Sequence, residues 1–445
     1  MVEWLGPALP FLYAFAAIAL WTAAIYVLHR RGLLAKYNLV PIGPLLMVKT
    51  VRGRDFIDRS ARFRRLWRAF GDLSIFIVAF TMVGITALLI WEATLVSSIP
   101  PDRAPSPEML LGIPGINPII PLWYGIFALA IAVGLHEFMH GILARVARVK
   151  IESLGLLFLI FPIGAFVEPA EAEMRALPRR ERARIFSVGA AINMLLALVF
   201  GVIFSTMTLA GVEPMQQGIG ILDFTSDTAP ARQAWPVSME GHSVITEVNG
   251  TSTPTLAAFQ AAMARTRPGD NVSVVAWKDD AFQTYFVTLG DGGGGRPVIG
   301  IFAIDTSTSY YHPFTDLDRF GGVGGALLTY IALPFTGRSP LQEPTTDFYR
   351  LTGVWAGVPE WLFYLIANTF YWLFWLNLML GATNSLPAVP LDGGYVFKDG
   401  LESLLSRVRG GLEPSRREAI ARRVSHAFAF LILALILWQF IGPRI

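Results

Sequence analysis

The chain has six histidines, and two of them, His136 and His140, stand four residues apart with Glu137 beside the first. On an α-helix, residues i and i+4 share one face, so both imidazoles would point the same way. Two such nitrogens can bind one Zn²⁺ at about 2.0–2.1 Å each. Glu137 could then take a proton from a water activated at that site. A chance His-Glu-x-x-His match is the alternative, and its surroundings argue against it. The pattern lies within IFALAIAVGLHEFMHGILARV, an otherwise apolar run. A charged side chain near the centre of a bilayer costs about 2.5–3.5 kcal/mol on insertion scales. Such residues persist where they line a cavity or bind something.

A catalytic zinc site needs a third protein ligand and an open position. The chain has no cysteine, which excludes disulfides, thiolate ligands and a cysteine nucleophile. The leading candidate is Asp392, in Asn384-Ser385-Leu386-Pro387-Ala388-Val389-Pro390-Leu391-Asp392-Gly393-Gly394. The prolines break a regular helix and the glycines permit unusual backbone angles. A broken helix at membrane depth is tolerated where it lines a site. A turn that simply ends a helix at the membrane surface is the plainer reading, and this stretch alone does not decide between them.

The elements that must position these residues are membrane helices. Hydrophobic residues make up 53% of the chain and charged residues 16%, against about 25% charged in soluble domains. Crossing the hydrocarbon takes roughly 20 apolar residues. Six stretches qualify: 8–28, 74–97, 121–147, 184–211, 361–387 and 424–442. The first is read as an anchor rather than a cleaved signal, because Arg30 and Arg31 follow its apolar part and no basic region precedes it.

Charge sets the orientation. The loop from His29 to Phe70 is rich in Lys and Arg, and so are the stretches Arg145–Arg184 and Lys398–Arg423. With six spans all three fall on one side, which the positive-inside rule makes cytoplasmic. Both termini are then expected outside. A further apolar stretch, 321–336, would reverse the last basic loop if it crossed, so it is expected to be interfacial or re-entrant. The 36 basic and 33 acidic residues nearly balance. The basic runs are explained by topology, and there is no phosphate loop, nucleotide fingerprint or nucleic-acid module. Neither nucleotide nor nucleic acid is expected as a partner.

Residues 213–303 differ in texture. Alternating strands, HSVITEVNG, NVSVVAW and QTYFVTLG, surround a helical stretch from Leu256 to Thr266, with a turn at Pro268-Gly269-Asp270. This is an α+β insert of about 90 residues, outside the cytoplasm by the topology above. Its order resembles protease-associated PDZ domains, which accept a peptide as an added strand. A structural spacer is the simpler reading.

His-Glu-x-x-His in a membrane helix, followed by N-x-x-P-x-x-P-L-D-G, resembles the site-2 protease family of intramembrane metalloproteases. Gly189-Ala190-Ala191-Ile192-Asn193 is similar to that family's G-x-x-x-N stretch, and the insert's place also fits. The resemblance covers roughly 121–400. It implies that His136, His140 and Asp392 bind Zn²⁺ and that Glu137 is the general base. It also implies that Asn384 holds the substrate backbone, with Asn193 supporting the site. The segment from Ile151 to Glu168 is similar to the family's membrane-associated β-hairpin, which can offer an edge to an extended substrate. A hairpin with only a packing role remains open.

The expected fold is a polytopic α-helical membrane protein of about six transmembrane helices with an inserted α+β PDZ-like domain. Its parts are 1–98, an N-terminal pair of spans with a basic cytoplasmic loop; 118–212, the first half of the catalytic core; 213–303, the insert; 304–358, a linker; and 359–445, the second half of the core and the last helix. The expected activity is cleavage of membrane-anchored protein substrates within the lipid bilayer of a cell membrane, by a zinc metalloendopeptidase. Absent eukaryotic targeting signals suit a prokaryote. Competing readings are a transporter or metal-handling protein with the histidines as an ion path, an inactive scaffold, and a different membrane zinc hydrolase acting on lipid or prenylated peptides. The basic 29–70 loop is expected to set orientation and touch anionic lipid. His242, His312 and His426 have no assigned chemistry.

Overall fold

The computed structural model describes residues 9–101, 104–110, 112–307, 317–336, 341–408 and 413–444, so His312 lies outside the described residues. Leaving shorter pieces aside, the helices are α1 (Leu9–Arg30), α2 (Arg54–Ser60), α3 (Arg64–Leu95), α4 (Leu122–Val146), α5 (Arg179–Gly211), α6 (Leu256–Met263), α7 (Gly322–Ala332), α8 (Glu360–Asn384), α9 (Asp392–Val408) and α10 (Pro414–Ile441). Long apolar runs become helices because lipid offers no partner for a free backbone N–H or C=O. Among the described residues, five segments are long and apolar enough to cross a membrane: Arg64–Ser98, Leu122–Val146, Arg179–Gly211, Glu360–Asn384 and Pro414–Arg444. The first expected span forms α1, a helix of 22 residues. α7 has 11 residues, too few to cross alone.

Burial separates the helices by role. Of the apolar window in α8, 56% is buried, against 11% in α3 and in α10. α8 is a core helix on several sides, whereas α3 and α10 show large apolar side chains such as Phe76, Phe80 and Phe430 outward. Those are surfaces for lipid.

The expected hairpin forms, as β3 (Ile151–Leu159) and β4 (Phe161–Pro169). It does not stand alone. The basic loop contributes β1 (Leu39–Ile42) and β2 (Leu45–Thr50), and the antiparallel sheet runs β1-β2-β3-β4. The loop therefore does more than set orientation. Its LVPI and LLMV runs are apolar and short, Gly43 turns between them at φ 59°, and β2 completes its ladder on β3. The same loop packs α2 against α4: Ile57 is buried and Phe56 stacks on Phe138 at 5.1 Å between ring centroids.

The chain divides into two compact units, 1–199 with 372–445, and 200–371. The second holds the insert. Its strands are β5 (Ile219–Phe224), β6 (Val244–Val248), β7 (Asn271–Lys278), β8 (Ala281–Thr288) and β9 (Ile301–Asp305), in the order β8-β7-β6-β5-β9. The three expected strands and the helix are present. β5 and β9, which pair with each other across the chain, were not expected. α6 starts where Thr255 Oγ1 accepts from the Ala258 N–H, a cap of the kind usually worth about 1 kcal/mol. Asp305 at the end of β9 accepts from the Leu256 N–H at 2.9 Å.

In the first sheet, Lys49 on β2 donates to both carboxylate oxygens of Glu168 on β4, at 2.9 and 2.7 Å, and Ser153 on β3 donates to Glu168 as well. Lys49 first, then Ser153, holds the Glu168 carboxyl below its usual range. A carboxyl depressed on folding stabilises the fold above the unfolded pKa, and the contribution is lost as pH falls through the folded value. Both side chains are partly exposed, so the effect is at most about 1 kcal/mol. Lys49→Met is expected to lower the melting temperature of the purified protein at about pH 7 and to have a smaller effect at about pH 3, because the contribution is lost as pH falls through the lowered folded value of Glu168. Equal losses at both pH values would remove this account.

Candidate metal centre

α4 places His136 and His140 one turn apart on a single face, as the i, i+4 spacing requires. Their rings lie edge to face with centroids 4.8 Å apart. Asp392 comes from the other end of the chain. α8 ends at Asn384, the segment from Ser385 to Leu391 is irregular, and Asp392 opens α9. The continuation as a 17-residue helix was not expected from the sequence. The chain must fold back sharply here. A Cβ at position 393 would lie 2.3 Å from the Ser385 carbonyl oxygen, and one at 394 would lie 2.4 Å from the Val389 nitrogen. Only glycine fits at both.

Asp392 Oδ2 lies 3.0 Å from His136 Nε2 and 3.1 Å from His140 Nε2. One donor atom from each residue falls within 4.8 Å of the others. His140 Nδ1 sits 2.6 Å from the Ile185 carbonyl oxygen on α5. Nδ1–H therefore donates to Ile185, and Nε2 keeps its lone pair toward Asp392. Groups this close can share a proton or a metal ion. His136, His140 and Asp392 are a donor set that could hold a metal, with borderline nitrogen and hard oxygen ligands of the kind Zn²⁺ accepts. His136 Nδ1 is buried and lacks a hydrogen-bond partner among the described residues.

α5 makes room for the cluster. A Cβ on Gly189 would lie 2.4 Å from His140 Nε2 and 2.6 Å from His136 Nε2. Ala190 and Ala191 beside it are fully buried, so α5 approaches through small residues, as membrane helices do where backbones come close. The space-making role of Gly189 was not read from the sequence.

Glu137 points to the sheet: its Oε2 accepts the Val167 N–H of β4 at 3.1 Å. This backbone donor could not be seen in the sequence, since it depends on where the strand lies against α4. Glu137, His140 and Asp392 line a cavity of about 980 Å³ whose wall includes Tyr395 and the charged side chains of Arg182, Asp399 and Glu402. The two asparagines fare differently. Asn193, one turn past Gly189, is fully buried with neither amide atom partnered among the described residues. Asn384 donates to the Leu380 carbonyl of its own helix at 3.1 Å and is not part of the donor cluster.

The sequence pattern of peptidase family M50, the site-2 proteases, matches residues 124–432, about two thirds of the chain. The chain belongs to peptidase family M50. The match takes in α4, the sheet residues of β3 and β4, α5, the insert, α8 and α9. An uncharacterized protein of Methanocaldococcus jannaschii is 24% identical over 375 residues, 83% of this chain and 81% of that one. The zinc metalloprotease RasP of Oceanobacillus iheyensis is 22% identical over 284 residues, 61% of this chain and 62% of its own length. Among solved structures, the PDZ domain of an SdrC-like protein from Listeria monocytogenes is 21% identical, covering 21% of this chain and 94% of that domain, with a TM-score of 0.19. The M50 chain is a membrane protein of a metalloprotease family, and its His-His-Asp cluster suits a metal.

Gly189→Ala is expected to weaken zinc affinity by at least about tenfold, a size typical of changes just outside a ligand set. Competition against a chromophoric chelator measures it. An alanine variant that binds zinc as tightly as the native protein would show that the imidazoles do not need this space.

Proposed function

We propose that this M50 peptidase is an intramembrane zinc endopeptidase that cuts membrane-spanning segments of anchored proteins, with His136, His140 and Asp392 as metal ligands and Glu137 as general base. One observation carries the reading. Three donor atoms from two separate helices come within 4.8 Å of one another, with a carboxylate beside them, at the wall of a cavity of about 980 Å³.

A bound zinc ion would supply Lewis acidity, polarising the scissile carbonyl and lowering the pKa of a water towards about 7. The rest is done by the chain. Val167 N–H occupies Oε2 of Glu137, which leaves Oε1 to take a proton from the attacking water. The C–O bond forms, the C–N bond breaks, and Glu137 returns that proton to the leaving nitrogen. No covalent link to the protein is needed. A helical substrate must first unwind, because its carbonyls are held by internal hydrogen bonds. β4 ends its sheet and lies against Glu137, so an unwound segment can be held there as an added strand. Asn193, buried without a partner among the described residues, has donor and acceptor capacity to offer one turn past Gly189. Asn384 would have to leave the Leu380 carbonyl to hold substrate.

The insert serves as a PDZ-like peptide module. A cavity of about 750 Å³ runs between α6 and β9, lined by Leu256, Phe259, Met263, Ile301 and Ala303, and β9 is the last strand on that side. The protein spans a prokaryotic cell membrane in six passes, with its basic loops cytoplasmic and its termini and insert outside.

Glu137→Gln is expected to retain zinc and to lose at least about a thousandfold in cleavage of a membrane-spanning test substrate. Asp392→Ala is expected to lose zinc and cleavage together. Metal analysis and cleavage are scored on the same preparations. Normal cleavage by Glu137→Gln ends the proposal for that residue, and full zinc occupancy in Asp392→Ala ends it for the third ligand.

A further inference from the structure

α5 and α9 are joined by a ladder whose rungs keep strict register with the metal site. The first rung is the site itself, where Gly189 on α5 faces the histidines that Asp392 of α9 touches. Three residues back along α5 and three forward along α9, Phe186 stacks on Tyr395 with centroids 4.7 Å apart and planes at 15°. Four residues further each way, Arg182 grips Asp399 through two bonds: Nη2 to Oδ1 at 2.6 Å and Nε to Oδ2 at 3.0 Å. Three more, and Arg179 meets Glu402 at 3.2 Å. Each step back on one helix is matched by an equal step forward on the other, as expected of two antiparallel helices in fixed axial register.

The charged rungs lie two to three turns from the site, about 10–15 Å along the helices at 1.5 Å per residue. They are sheltered. Asp399 and Glu402 are each 7% exposed. Arg182 is fixed further by donating through Nη1 to the carbonyls of Arg175 and Leu177. A carboxylate buried this far depends on its cation, and a two-pronged guanidinium contact fixes direction as well as distance. Asp392 is the first residue of α9 and follows an irregular segment. Its height against the two imidazoles is therefore set by where the body of α9 is anchored.

We propose that the Arg182–Asp399 and Arg179–Glu402 pairs are a clamp that positions Asp392 as third metal ligand, with Arg182 and Asp399 as its main positioning residues. The proposal rests on the metal reading of the site. The clamp residues touch neither the metal position nor the histidines. They act through the axial register of α9.

A second buried arginine on α5 supplies the control. Arg184 has a side chain 9% exposed and pairs with Asp72 on α3 at 2.6 Å and with Glu181 at 2.8 Å. Removing it breaks a pair with a buried guanidinium and a half-exposed carboxylate, without touching α9. The test uses the full-length protein in detergent, with zinc dissociation constants from chelator competition and melting temperatures from the same samples. Arg182→Ala and Asp399→Asn are expected to weaken zinc by at least about tenfold, and Arg182→Lys, which keeps the charge but loses the fork, by less. Arg184→Ala is expected to lower the melting temperature while leaving zinc affinity within about twofold. Native zinc affinity in a folded Arg182→Ala or Asp399→Asn protein overturns the clamp, and so does an equal loss in Arg184→Ala. If the unsubstituted protein binds no zinc, the metal reading fails first, and that outcome is distinct from the other two.

Discussion

A carboxylate oxygen within about 3 Å of two imidazole nitrogens is an expensive arrangement in a bundle of apolar helices. Each of the three atoms carries a lone pair, and in a medium of low effective dielectric their mutual repulsion is several times what it would be in water. A shared cation, a metal ion or a proton, relieves that repulsion, and the surrounding backbone keeps the groups from drawing apart. Two of the three come almost free, since α4 supplies both imidazoles through its own periodicity. The third is brought from more than 250 residues away in sequence, and most of the first unit's construction can be understood as what is needed to bring it there. Ile185 fixes one imidazole by its carbonyl, the turn before α9 sets the position of Asp392, and α5 lies over both.

Packing in lipid sharpens this requirement. Between membrane helices the hydrophobic effect supplies little, so close contact is held by van der Waals packing and by polar pairs. Small residues then appear where backbones must approach, and buried charges appear where two helices must not slide. Gly189, Ala190 and Ala191 are of the first kind. Gly393 and Gly394 let the chain double back so tightly that a β-carbon at either place would overlap backbone atoms. Elsewhere in a helix such glycines would cost about 1 kcal/mol each relative to alanine, a cost the fold accepts in order to aim one aspartate.

What the sequence discloses follows from how local each signal is. The histidine pair is written in one helical turn, and an apolar run of that length admits only a helix, so both were legible. The insert's central strands and helix were legible for the same reason, since alternation and a capped apolar stretch are local patterns. β5 and β9 were not, because each is short and finds its partner some 80 residues away. β1 and β2 were hidden among Lys and Arg residues that topology already explained. α9 was missed because its mean hydropathy is low and two prolines stand just before it; nothing local says that the chain resumes a helix at Asp392. Asp392 itself could be nominated by motif, but no pattern in its neighbourhood states that it reaches the histidines. The first apolar stretch, read as a helix from its length, forms α1 of 22 residues.

The cavity beside the site adds a constraint on selectivity. Apart from Glu137 and Asp392, its charged lining is balanced, with Arg175, Arg182, Lys398 and Arg422 facing Glu171, Asp399, Glu402 and Glu418. Several of these are committed to one another: Arg182 to Asp399, and Lys398 to both Glu402 and Glu418. A wall with its charges cancelled in pairs admits water readily, because every polar atom is a partner, yet it presents no strong net field to draw one sign of substrate over another. Hydrolysis needs the first property. Under the proposed function, the second leaves discrimination to shape and to how easily a segment gives up its helical hydrogen bonds for those of a strand edge. On that proposal, a peptide that unwinds at low cost beside β4 would place a carbonyl near Glu137, which already lies against that strand. One that stays helical keeps its carbonyls bonded and presents nothing to attack.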